Sequence, residues 1–136
     1  MLRLVENIPD LLKSSYRVPA GFPSPATDSL EESINLNSLL IERPSSTFVM
    51  QVSGDSMNKA GILDGDHIIV DKSKTAISGK IVVAVLNGDM TVKYLQKTAS
   101  GFCLKAANPK YAPIHVKEGH ELEIWGVVVG VVRRCD

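Results

Sequence analysis

The chain has 136 residues, 44% apolar and 22% charged, with 15 Lys+Arg against 15 Asp+Glu and a formal net charge of +0. That balance argues against direct, sequence-specific DNA binding, because phosphate-gripping proteins gain affinity from the counterions their cations displace. The apolar content excludes a disordered or collagen-like chain, and the length suits a compact domain that needs no disulfide staples.

The only cysteines, Cys103 and Cys135, fit a reducing compartment. No run reaches the roughly 20 apolar residues of a membrane span, and the densest, Ile124 to Val132, is broken by Gly126 and Gly130. Met1 to Lys13 carries Glu6, Pro9 and Asp10 and lacks the apolar core of a signal peptide. The expectation is a cytoplasmic protein with no membrane attachment.

Leu2, Val5, Ile8, Leu11 and Leu12 approximate one helical face, but Pro9 interrupts it and no strong cap follows, so a short helix or an arm is expected. From Lys13 to Leu30 the composition shifts to serine, glycine and proline, with Pro19, Pro23 and Pro25 close together. Such a stretch stays solvated and extended, since proline fixes its own φ and pushes its predecessor out of the α region. Residues 1–45 are therefore expected to be an N-terminal arm, and residues 46–136 the folded domain.

Phe48, Met50 and Val52 alternate with Thr47, Val49 and Gln51, the period of a half-buried strand. Asp64-Gly65-Asp66 is a turn into the strand His67 to Val70. Ile81 to Leu86, Asn87-Gly88 and Asp89 to Gln96 form two β-rich runs joined by the pair that best suits a type I′ turn, so a hairpin is predicted there. Ser100-Gly101 and Asn108-Pro109 punctuate further short segments, and Leu122 to Val132 supplies one or two more strands. The fold class predicted is mostly β, a small antiparallel domain behind an extended arm.

Ser53-Gly54-Asp55-Ser56-Met57-Asn58 follows the first of these strands, where the chain must turn. A serine on such a turn exposes its hydroxyl and presents successive backbone N–H groups to an oxyanion, although the same residues also serve as ordinary turn formers. A nucleophile needs a base. His67 lies inside an apolar strand, His115 and His120 lie in a loop-like stretch, and the G-x-S-x-G elbow is absent because position 58 is Asn. Lys59 completes S-x-x-K, but the S-D-N and K-T-G elements of penicillin-binding enzymes are missing. Lys93 is the base selected: strand alternation sets it on one face with Thr91 and Leu95, among apolar neighbours able to desolvate it. Only a neutral amine accepts the serine proton, so an ordinary value of about 10.4 must fall by roughly three units, on the order of 4 kcal/mol. An outward-facing lysine on an edge strand is the alternative, and spacing does not choose between them.

Ser56-Met57 within SGDSM, Gly65-Asp66 leading into Ile68-Ile69-Val70-Asp71, and Thr91-Val92-Lys93 after a hairpin together resemble the Ser/Lys self-cleaving proteins of the LexA/UmuD type, the peptidase S24 family. The resemblance extends to Phe22-Pro23-Ser24-Pro25-Ala26, to Leu36-Asn37 through Pro44-Ser45, and to Gly126-Val127-Val128. It implies Ser56 as nucleophile, Lys93 as general base, and the backbone N–H groups of Ser56 and Met57 as the oxyanion hole. It also implies a scissile bond between a small residue and glycine in the arm, which Ala20-Gly21 fits. No metal or cofactor is called for.

LexA-like repressors place a DNA-binding domain before the cleavage site, and the 20 residues up to Ala20 leave no room for a helix-turn-helix. The expectation is therefore the UmuD-like branch. There a RecA filament on single-stranded DNA stimulates self-cleavage in the SOS response to DNA damage. The shortened homodimer then joins a UmuC-like error-prone DNA polymerase in translesion synthesis. A non-catalytic polymerase- or RecA-binding subunit with a vestigial Ser/Lys pair is the competing reading.

Overall fold

The computed structural model describes residues 10–14, 18–25 and 31–136. The chain divides into two compact units, the smaller spanning Asn7–Leu40 and the larger taking in Ile41–Asp136.

In the smaller unit, strand β1 (Asp10–Ser14) pairs antiparallel with β2 (Glu31–Asn35), in register from Asp10 opposite Asn35 to Ser14 opposite Glu31. A five-residue helix, α1 (Leu36–Leu40), follows, with the Asn35 side-chain oxygen accepting from the Asn37 N–H at 2.8 Å. The helical face expected through Leu11 and Leu12 is thus replaced by a strand; Leu2, Val5 and Ile8 lie outside the described residues. The reason is cooperative: a few residues beyond Pro9 cannot repay the nucleation of an uncapped helix, whereas a partner strand satisfies their backbone groups directly. Between the strands, residues 18–25 are all exposed and lack regular structure, and the chain bends through Ala20, Gly21 and Phe22 rather than running straight. Val18 is 80% and Phe22 95% exposed.

The larger unit is a seven-stranded antiparallel sheet. Its strands are β3 (Thr47–Gln51), β4 (His67–Asp71), β5 (Ile81–Leu86), β6 (Asp89–Thr98), β7 (Gly101–Lys105), β8 (Ile114–Val116) and β9 (Leu122–Val132), ordered β3-β4-β9-β5-β6-β7-β8. This is the mostly β, antiparallel architecture that the turn pattern predicts. The β5–β6 hairpin turns at Asn87 and Gly88, both at positive φ (51° and 88°), as a type I′ turn requires. The C-terminal run, expected to supply one or two strands, forms a single strand of 11 residues. It stays continuous because bulges at Ile69/Val70 and Val83/Ala84 absorb its curvature against β4 and β5.

Successive residues of β5 alternate between two cores. Val83 packs with Met50, Val52, Met57, Ile62, Ile68, Val70 and Val92, while Val82 and Ala84 pack with Leu95, Leu104 and Val127. The middle of the sheet is therefore covered on both faces, and β6 beside it is an interior strand. Its pairing with β7 begins only at Tyr94, so among the described residues Asp89–Lys93 has β5 on one side and no strand on the other.

Candidate active site

A long loop leaves β3 and returns to β4, and its ends are tied by backbone bonds from Val52 N–H to Asp66 O and from Gly65 N–H to Val52 O, both 2.8 Å. Within it Gly54 adopts φ +103°, a conformation costly for any residue with a Cβ, and its N–H donates to Asp64 Oδ1 at 2.7 Å. The Met57 side chain, 2% exposed, is sunk in the core beside Val52 and Ile62. A 3₁₀ turn, Asn58–Ala60, closes on Gly61 in the left-handed conformation. Ser56 thus sits between two fixed points, the Gly54 turn and the Met57 anchor.

Lys93 approaches from β6, with Nζ 3.0 Å from Ser56 Oγ. The amine donates to Thr91 Oγ1 at 2.7 Å and to the Val92 carbonyl at 3.2 Å. A neutral amine has two N–H bonds and one lone pair. In that form, with Thr91 and Val92 taking the N–H bonds, the lone pair would face the Ser56 hydroxyl, whereas the ammonium form donates to Ser56 Oγ. The residue is 8% exposed, and among the described residues no carboxylate lies within ion-pair range of it. Burial therefore holds its pKa below the ordinary 10.5, because the ammonium form loses hydration without gaining a counter-charge. The outward-facing alternative does not describe this lysine.

A pocket of about 120 Å³ opens beside the pair, walled by Ser53, Gly54, Ser56 and Met57 on the loop and by Met90, Thr91 and Val92 on β6. Among the described residues the N–H groups of Ser56 and Met57 donate to no protein acceptor. The other bases weighed are elsewhere: Lys59 is exposed, His67 begins β4 opposite Gln51, His115 is exposed on β8, and His120 Nδ1 accepts from the Lys117 N–H at 2.9 Å. Ala20 and Gly21 are exposed in the smaller unit. The sequence gives no role to Thr91, Asp64, Asn108 or Tyr111. For Thr91 a signal existed, since residues i and i+2 of a strand share a face, whereas the others come together only through the fold.

An antiparallel β-domain that sets a loop serine against a buried lysine, with no carboxylate beside it among the described residues, has the construction of a serine peptidase. Comparison with known proteins agrees: residues 11–129 match the model of the family described as Peptidase S24-like. The chain is 42% identical over 118 residues to protein SamA of Salmonella typhimurium, covering 87% of this chain and 81% of that protein. It is 40% identical over 125 residues to protein MucA of Escherichia coli, covering 91% and 83%. It is also 43% identical over 119 residues to LexA repressor 1 of Pseudomonas syringae, covering 87% of this chain and 58% of the repressor. The chain belongs to the Peptidase S24-like family, as its resemblance to LexA/UmuD-type proteins implies. No helix among the described residues is long and apolar enough to cross a membrane.

Proposed function

We propose that the protein is a self-cleaving serine peptidase of the SOS response that cuts its own Ala20–Gly21 bond with Ser56 as nucleophile and Lys93 as general base. The observation that carries this reading is the 3.0 Å approach of a buried, uncompensated lysine amine to a loop hydroxyl. The amine withdraws the hydroxyl proton as Oγ attacks the Ala20 carbonyl carbon, and the developing oxyanion is received by the N–H groups of Ser56 and Met57. Lys93 then returns the proton to the departing Gly21 amine, leaving Ala20 esterified to Ser56. Water, deprotonated by the same amine, hydrolyses the ester. Two features of the arm suit it as substrate: Ala20 and Gly21 put little bulk around the carbonyl, and their exposure leaves the bond accessible. The side of Asp89–Lys93 that no strand occupies among the described residues offers an edge along which an extended segment can add as a strand.

By resemblance, a RecA filament on single-stranded DNA stimulates the cut, and the product 21–136 acts as a homodimer with a UmuC-like error-prone polymerase in translesion synthesis. Purified protein held at alkaline pH, or near neutrality with RecA, ATP and single-stranded DNA, should yield a fragment whose mass begins at Gly21, and Ser56→Ala or Lys93→Ala should yield none. A fragment from either variant overturns the dyad. A wild type that stays full length under both conditions yet co-purifies with the polymerase favours the non-catalytic reading.

A further inference from the structure

The segment between β7 and β8 holds the Ser56 loop at three points. Ala107 O accepts from the Lys59 N–H at 2.8 Å, Tyr111 Oη donates to Asp55 Oδ1 at 2.5 Å, and Asn108 Nδ2 donates to the Asp55 carbonyl at 2.9 Å. Asn108 is the buried member, 6% exposed. A buried carboxamide is costly unless its groups are paired, and this one is: its Oδ1 accepts from the Lys110 N–H at 3.0 Å, which turns the amino end toward Asp55. Asp55 O also accepts from Asn58 N–H, at a longer 3.3 Å.

The Asp55 carbonyl and the Ser56 N–H belong to one planar trans peptide, in which C=O and N–H point in opposite directions. Whatever fixes the carbonyl therefore fixes the N–H. Asn108 is not among the residues walling the pocket beside Ser56, so a carbonyl drawn to it sends the N–H the other way. We propose that Asn108 is a positioning residue that aims the Ser56 N–H as an oxyanion donor by holding the Asp55 carbonyl. The inference rests on the reading of Ser56 as the nucleophile.

The test is the rate of self-cleavage against pH in the full chain for wild type, Asn108→Ala and Asn108→Asp. The aspartate keeps the size of the side chain and its acceptor toward Lys110, but in the alkaline range it has no proton to offer the Asp55 carbonyl. Both variants should lose roughly 10- to 100-fold in the alkaline plateau rate, below the loss for deleting an oxyanion donor outright. The pH midpoint of Asn108→Ala should not move, because Lys93 keeps its surroundings, whereas the added carboxylate of Asn108→Asp favours the ammonium form and raises the midpoint. A plateau equal to wild type overturns the assignment. So does a loss in Asn108→Ala accompanied by a midpoint moving toward 10.5, since that reports water reaching Lys93 through a loosened fold. Where Asn108→Ala fails to fold, Asn108→Asp and the wild type itself decide: the Asn108 carboxamide protons should exchange with solvent far more slowly than those of exposed Asn58, and equal rates overturn the proposal. Failure of the underlying reading looks different, as the wild type then stays uncut at every pH.

Discussion

Thr91 and Lys93 sit two residues apart on one face of β6, and the threonine hydroxyl oxygen is 2.7 Å from the lysine amine, closer than the 3.0 Å separating that amine from Ser56. Thr91 thus directs the amine's free lone pair by occupying one of its N–H bonds. Thr91→Val keeps the shape and removes the acceptor, so self-cleavage should slow about 3- to 10-fold, as expected for losing a hydrogen bond worth about 1 kcal/mol. Thr91→Ser should stay near the wild-type rate. Equal rates for the valine and serine variants, measured by fragment appearance, would remove Thr91 from the site.

Burial lowers the Lys93 pKa from 10.5, and the sign of two pH effects follows. The neutral fraction of the folded protein grows with pH, so cleavage should accelerate as pH rises and level off below 10.5. Over the interval between the lowered value and 10.5, the unfolded chain holds a proton that the folded one has lost, so stability gains from rising pH there. In a Ser56→Ala background, which lacks the proposed nucleophile, Lys93→Met should abolish that gain. A cleavage profile still climbing beyond 10.5 would contradict the desolvated amine.

Much of this architecture was legible in local chemistry. Asn87-Gly88 announces a type I′ hairpin because both positions tolerate positive φ, and strand alternation alone puts Thr91 on the face of Lys93. The β1–β2 pairing was not legible, since a strand needs a partner and Asp10–Ser14 finds its own only at Glu31–Asn35, beyond a proline-rich stretch that reads as unstructured. Likewise Asn108 reads as half of a turn signal. Its contact with Asp55 spans 53 positions, a separation at which single-chain periodicity carries no information.

Gly126 pairs with Val83 of β5 and lies one residue beyond the β9 register with β4, which ends at Val127 opposite Asp71. A Cβ at this position would stand 2.6 Å from Val70 Cγ1 and 3.4 Å from Asp71 O, and a valine side chain stiff at χ1 cannot swing aside. Gly126→Ala should therefore destabilise the larger unit by about 1–3 kcal/mol, as overpacking does. Gly101, whose nearest neighbour would be 3.7 Å away, is constrained only by its φ of +138°. Chemical denaturation of Gly126→Ala with no loss of stability would mean that β9 shifts freely past Val70, contrary to the tight packing between them.

Arg133, the residue that follows β9, ties the Ser56 loop to the sheet. Its Nε meets Asp66 Oδ1 at 2.9 Å, and its Nη2 donates to Gly61 O at 2.9 Å. Asp66 is 2% exposed, and Leu63 N–H donates to its other oxygen at 2.7 Å. The arginine side chain is 41% exposed, which places the pair between a surface bridge worth little and a buried one whose rupture is severe. Arg133→Ala should cost about 1–2 kcal/mol, with the loss concentrated in the loop because Gly61 and Asp66 both lie within it. Hydrogen exchange at Gly61 to Asp66 should rise more than in β5, and self-cleavage should slow because the Met57 anchor beside Ser56 shares that loop. Uniform acceleration of exchange across the sheet would instead assign Arg133 to global stability.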